Sequence, residues 1–326
     1  MDRYGRILRF IMRTYTINKI LSLLLPISAI ALITVMVPLP QSWTVLLVGV
    51  SLLGYTHYFI GAYYQHQAWR RRGQYGRFLI RFIVLSFVSI GLVVLAVSHG
   101  LLWLVAFLTI PYFVWHGYEN EHTLYTRATG LSLSSWLLGG MSIVAVGATL
   151  DAFRHTSANF SYALIYANGL IPRFTETFTA VSPYLYLAGF GLMIVGSVAI
   201  WFATWRYRSK ANWFWSIVTV GVLVWFYVAN PLPYIWLFVF LLGYHFLTWG
   251  IHYGVVFWPD SKKFFSYLIA HGLVVIGIVV VSIGLGLITD QFPLGLLNSE
   301  IFLAATLVHI STSFLNEVWL QKWLRL

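Results

Sequence analysis

Five histidines in this chain could do chemistry together: His57, His116, His245, His252 and His309. Each stands inside a long apolar run, where an ionisable side chain is costly and calls for a partner. His245 and His252 are seven residues apart. Seven steps of about 100° come to about 700°, so both imidazoles leave one face of a helix. No lysine, arginine or carboxylate separates them. Polar residues recur at helical spacing around the others. Glu119 and Asn120 follow His116 by three and four positions, and Thr312 and Asn316 follow His309 by three and seven. A metal-bound imidazole usually gives its other N–H to a carboxylate, carbonyl or hydroxyl. Glu119, Asn120, Thr312 and Asn316 are spaced to accept it, and Glu119 could also be a further ligand. One histidine in a membrane helix would be read as a packing residue. Four separate segments that each supply one at a common level point to a shared metal.

The chain contains no cysteine, so thiolate sites and iron–sulfur clusters are excluded. Imidazole with a possible carboxylate suits non-haem iron (Fe2+), then zinc or copper. There is no H-E-x-x-H, which argues against a zincin-type protease. Haem with axial His245 and His309, or pigments that each take one histidine, are the alternatives. His99 and His155 fall in connections and read as surface residues. Glu121 and Glu317 fall near helix ends and read as solvated. The spacing does not assign His66, His122 or His271.

The elements that must carry these residues follow from composition. The 326 residues are 60% hydrophobic and 9% charged, against roughly 25% charged in a soluble domain. The expected fold is all-α, a single polytopic transmembrane domain over 1–326. Ten apolar runs have the roughly 20 residues a bilayer requires: about 18–37, 44–66, 79–98, 101–122, 131–151, 183–205, 213–229, 234–258, 264–289 and 300–320. With the N-terminus inside, the Lys/Arg clusters at Arg70–Arg72, Arg206–Lys210, Lys262–Lys263 and the C-terminal tail all face the cytoplasm. That orientation puts both termini in the cytoplasm of an inner or plasma membrane protein, with Met1–Lys19 as a cytoplasmic lead-in. It also explains the net charge of +11 by topology and anionic lipid rather than nucleic acid. The segment 151–182 is the one long outer connection. In this topology the spans that carry His57, His116, His245 and His309 all run inward. Counting about 1.5 Å per residue puts His57, His116, His245 and His309 at nearly one level, with His252 about 10 Å nearer the cytoplasm.

The order of these residues resembles a family. One histidine stands in an early span (Gly54-Tyr55-Thr56-His57) and one about sixty residues on (Val114-Trp115-His116-Gly117-Tyr118-Glu119). A close pair follows (His245, His252), then a last histidine (Leu307-Val308-His309). This is similar to the Brp/Blh membrane β-carotene 15,15′-dioxygenases. The resemblance covers span order and histidine order over most of the chain. It differs at Thr56, where that family carries proline, and in the seven-residue spacing of the pair. It implies histidine-bound iron, O2 and a carotenoid or other apolar lipid as substrate, with retinal as the product from β-carotene. A lipid desaturase or hydroxylase, and a non-enzymatic haem- or pigment-binding subunit, are the other functions these parts would serve. A transporter would favour paired halves with broken helices, and no such repeat is present.

Overall fold

The computed structural model describes residues 3–38, 41–129, 133–154, 182–207, 217, 233–289 and 299–314. Every described element is an α-helix: α1 (Arg3–Met36), α2 (Gln41–Arg71), α3 (Tyr75–Ser98), α4 (Leu102–Thr129), α5 (Ser135–Arg154), α6 (Ser182–Tyr207), α7 (Pro233–Phe257), α8 (Ser261–Thr289) and α9 (Ser299–Phe314). These overlie the expected spans other than 213–229. That span apart from Ile217, most of the segment 151–182 with His155, and Asn316 and Glu317 lie outside the described residues.

Four stretches are long and apolar enough to cross a membrane: Tyr15–Met36, Tyr75–Ser98, Leu187–Arg206 and Ser261–Gly284. Apolar side chains such as Phe87, Val94, Val198, Ile269 and Leu273 are largely exposed on them. That exposure is what a lipid-facing helix requires and a soluble one avoids. The chain is thus a helical membrane protein. Helices α2 and α4 do not reach the same composition, because histidines, glutamine, asparagine and glutamates interrupt their apolar runs. Ser135–Gly147 and Ile301–Phe314 are further apolar stretches.

The helices divide into two compact units. The first comprises residues 1–43, 107–165 and 169–245. Its tightest contact is between α5 and α6. An added Cβ on Gly140 would fall 2.5 Å from Ile200 Cγ1 and 2.7 Å from the Gly196 carbonyl oxygen. One on Gly147 would fall 2.6 Å from the Gly189 carbonyl oxygen. The backbones therefore meet along Gly140–Gly147 and Gly189–Gly196, the small-residue mode of helix pairing in lipid. Leu137, Val144, Ile200 and Ala203 fill the seam, joined by Tyr118, Tyr125 and Tyr244.

The second unit comprises residues 44–106, 166–168 and 246–326. Here α2 closes with Gly73 at φ 67° and a Gln74 N–H to Trp69 carbonyl bond of 3.1 Å. This left-handed cap favours glycine because it has no Cβ to clash. Trp69 then stacks on Phe78 of α3, with Arg81 over its face. Helix α3 also packs on α9.

Candidate metal centre

Within the second unit, α2 and α9 meet along matched faces. On α2 the face is Gly54, His57, Tyr58, Gly61 and Gln65; on α9 it is Phe302, Thr306, His309 and Ser313. Both follow three-, four- and seven-residue steps, so each forms one stripe. The His57 and His309 rings stand 4.6 Å apart at 66°. Each offers a ring nitrogen within 4.8 Å of the other's. Tyr58 stacks on His309 at 4.5 Å and 25°, and its hydroxyl is 2.8 Å from that of Thr306. Phe246 lies over His57 at 5.3 Å. Gln65 Nε2 donates to Ser313 Oγ at 3.2 Å. Glycine at position 54 lets two rings close on α2, since a Cβ there would sit 2.9 Å from the Phe302 ring and 3.0 Å from that of Phe246.

Within the first unit, α4 and α7 bring His116 and His245 together at 5.0 Å and 62°. Their ring nitrogens again come within 4.8 Å. Both residues are buried, His116 at 2% exposure. Asn120 Nδ2 lies 3.1 Å from His116 Nε2, and the Phe113 ring stands edge-on to His245 at 5.1 Å. Nitrogens on one ion sit about 2.0–2.1 Å from it, so two ligands of one metal are about 4 Å apart or less. Small ring rotations bring either pair into that range.

Glu121 differs from its sequence reading. It is not solvated: at 4% exposure it accepts from Lys19 Nζ of α1, from Tyr15 at 2.7 Å and from Tyr244 at 3.3 Å. Lys19 also donates to Tyr244 Oη at 3.0 Å. Lys19 thus belongs to the folded interior rather than to a solvated lead-in, because α1 runs unbroken from Arg3. The signal was readable. Tyr15, Asn18, Lys19 and Ser22 share one face of α1, and Asn18 and Ser22 are also buried and bonded to each other at 2.8 Å.

The remaining candidates separate. Glu119 is not brought to His116; it accepts from the Trp115 indole at 3.3 Å. A residue four positions on lies about 40° round from the first and one three on about 60° the other way, and the turn over His116 goes to Asn120. Thr312 bonds backbone carbonyls of Val308 and His309 at 2.8 and 3.0 Å instead of an imidazole. His252 is not among the histidines brought together; its ring meets Trp249 and Tyr253. His66 lies against Tyr75, His122 against Tyr118, and His271 Nδ1 is 2.9 Å from the Tyr267 carbonyl. An apolar groove on α4 and α5 is lined by Pro111, Tyr112, Trp115, Leu138 and Ser142.

Comparison of the chain with family models, with curated proteins and with solved structures finds no match.

Proposed function

We propose that His57, His309, His116 and His245 serve one non-haem iron centre of a membrane oxygenase. Its substrate is an apolar lipid, a carotenoid first among them by the resemblance to the Brp/Blh dioxygenases. The observation that carries the reading is the assembly of two imidazole pairs, three of the four rings buried, in a chain without thiolates. Neither pair alone supplies the three or more protein ligands usual at a catalytic iron. The ground for a common ion is the level: the four histidines fall at one depth when the expected spans are counted.

Iron at such a centre supplies the binding and activation of O2. The chain's residues do the rest. The imidazoles hold the ion neutrally, Tyr58 and Asn120 fix ring orientation, and Phe113 and Phe246 exclude water. An apolar chain reaches a mid-membrane site from the bilayer without first entering water, so binding can be used for orientation. Cleavage of a central C=C by O2 places one oxygen atom in each aldehyde and needs no outside reductant. Glu119 and His252 are proposed outside the ligand set. The ten-span topology with both termini cytoplasmic belongs to the same reading.

Metal analysis of detergent-purified protein tests it. About one iron per chain is expected, and alanine at any one of the four histidines should remove most of it. Half the metal remaining in His57→Ala and in His116→Ala would instead mean two separate sites. In a β-carotene-producing host, iron-loaded protein should bleach the cells and accumulate retinal. Intact carotene there would rule out the carotenoid substrate.

A further inference from the structure

His116 and Asn120 lie one turn apart on α4, with Asn120 Nδ2 3.1 Å from His116 Nε2. A primary amide presents either its NH2 or its oxygen after a half-turn about its last bond, with almost no change of shape. The two orientations have opposite consequences for the ring. If the NH2 faces Nε2, that nitrogen must accept, so the proton sits on Nδ1 and no lone pair remains for a metal. If the oxygen faces Nε2, that nitrogen carries the proton and donates, and Nδ1 keeps its lone pair. Only the second orientation makes His116 a ligand.

We infer that Asn120 is a positioning residue: its Oδ1 holds His116 as the Nε2–H tautomer, and His116 binds metal through Nδ1. The choice between the two orientations rests on the metal reading of the proposed function, whereas the tautomer itself is measured without any metal. His271 shows the same device turned round. Its Nδ1 is 2.9 Å from the Tyr267 carbonyl, and a carbonyl only accepts, so the proton there is on Nδ1. The two histidines are thus set in opposite tautomers by what stands one turn away. At His116 the polar neighbour is an amide that can present oxygen without bringing a charge. Glu119, the nearby carboxylate, is held by Trp115.

The test uses full-length protein labelled with 15N in its histidine rings. Long-range 1H–15N correlation distinguishes the tautomers, with His116→Gln identifying the His116 signals. The metal-free wild type should show His116 as Nε2–H, and added Zn2+ should move Nδ1. Asn120→Asp, which also presents oxygen, should keep the tautomer and bind Zn2+ at least as tightly as wild type. Asn120→Leu should weaken Zn2+ binding by about 10- to 100-fold. An Nδ1–H tautomer in the metal-free protein, zinc on Nε2, or unchanged affinity in Asn120→Leu would overturn the inference. Wild type that takes up no metal but shows Nε2–H would remove the iron centre and support the tautomer.

Discussion

In the α2/α9 pair, Tyr58 lies flat on His309 and reaches Thr306. In the α4/α7 pair, Asn120 meets the rim of His116, and the next residue, Glu121, is the centre of a buried ionic network. The residue type is the same and the means of holding it differ. Ring stacking is broad in angle and depends on volume and contact area. A hydrogen bond is directional and selects one nitrogen. The first pair should therefore fail when its space is altered, and the second when its polarity is altered.

The largest effect is expected where polarity is removed from one side only. Glu121→Leu leaves Lys19 buried without its carboxylate, which costs about 3–5 kcal/mol. The Lys19→Met/Glu121→Leu double variant should recover most of that in the unfolding midpoint of detergent-solubilised protein. A single variant that loses less than about 1 kcal/mol would mean that the network does not hold α1 to α4 and α7. Volume gives the next effect. Gly54→Ala drives a methyl into the Phe302 and Phe246 rings and should cost about 1–3 kcal/mol. Gly117→Ala meets nothing within 4 Å and should gain up to about 1 kcal/mol from helix propensity. Equal responses at the two positions would erase the contrast.

Tyr58→Phe keeps the stack and loses the Thr306 bond, so about 1 kcal/mol is expected, with little loss of metal. Tyr58→Leu loses both and should release metal as well. A double cycle with Thr306→Val measures the coupling directly. The smallest effect belongs to the exposed pair Lys263–Asp260, 2.8 Å apart. Hydrogen bonds from Lys263 hold the Asp260 carboxyl below its ordinary pKa. Its contribution is therefore present above the ordinary carboxylate value and fades as pH falls through the lowered one. Because the pair is solvated, Asp260→Asn should leave the unfolding midpoint unchanged at neutral pH.

The membrane character and helix placement were legible because apolar run length is a local property of the chain. His57, His116, His245 and His309 were legible because an imidazole is conspicuous in such a run. Their partners were only partly so. Asn120 was among the spacing candidates, whereas Tyr58 and Thr306 require the α2/α9 register, which no local pattern specifies. His252 shares a helix face with His245, but a common face does not give a common depth. Glu121 was misread because position near a helix end was taken to mean solvent. The polar stripe Tyr15–Asn18–Lys19–Ser22 on a neighbouring apolar helix was the sign that something buried had to answer it.

The glycine seam between α5 and α6 bears on the order of assembly during synthesis. Where glycine backbones meet there is no side-chain rotamer to fix, so less conformational entropy opposes the pairing than in a seam of large side chains alone. In lipid, such pairs can form once both helices are inserted. The seam is complete in chain order before α7 is made. Tyr244, which belongs to the cluster around Ile200 and Val144, then has a formed surface to dock on when it leaves the ribosome. His245 follows it by one residue, so the nascent helix would be set in rotation by α5 and α6 before its histidine has to find His116.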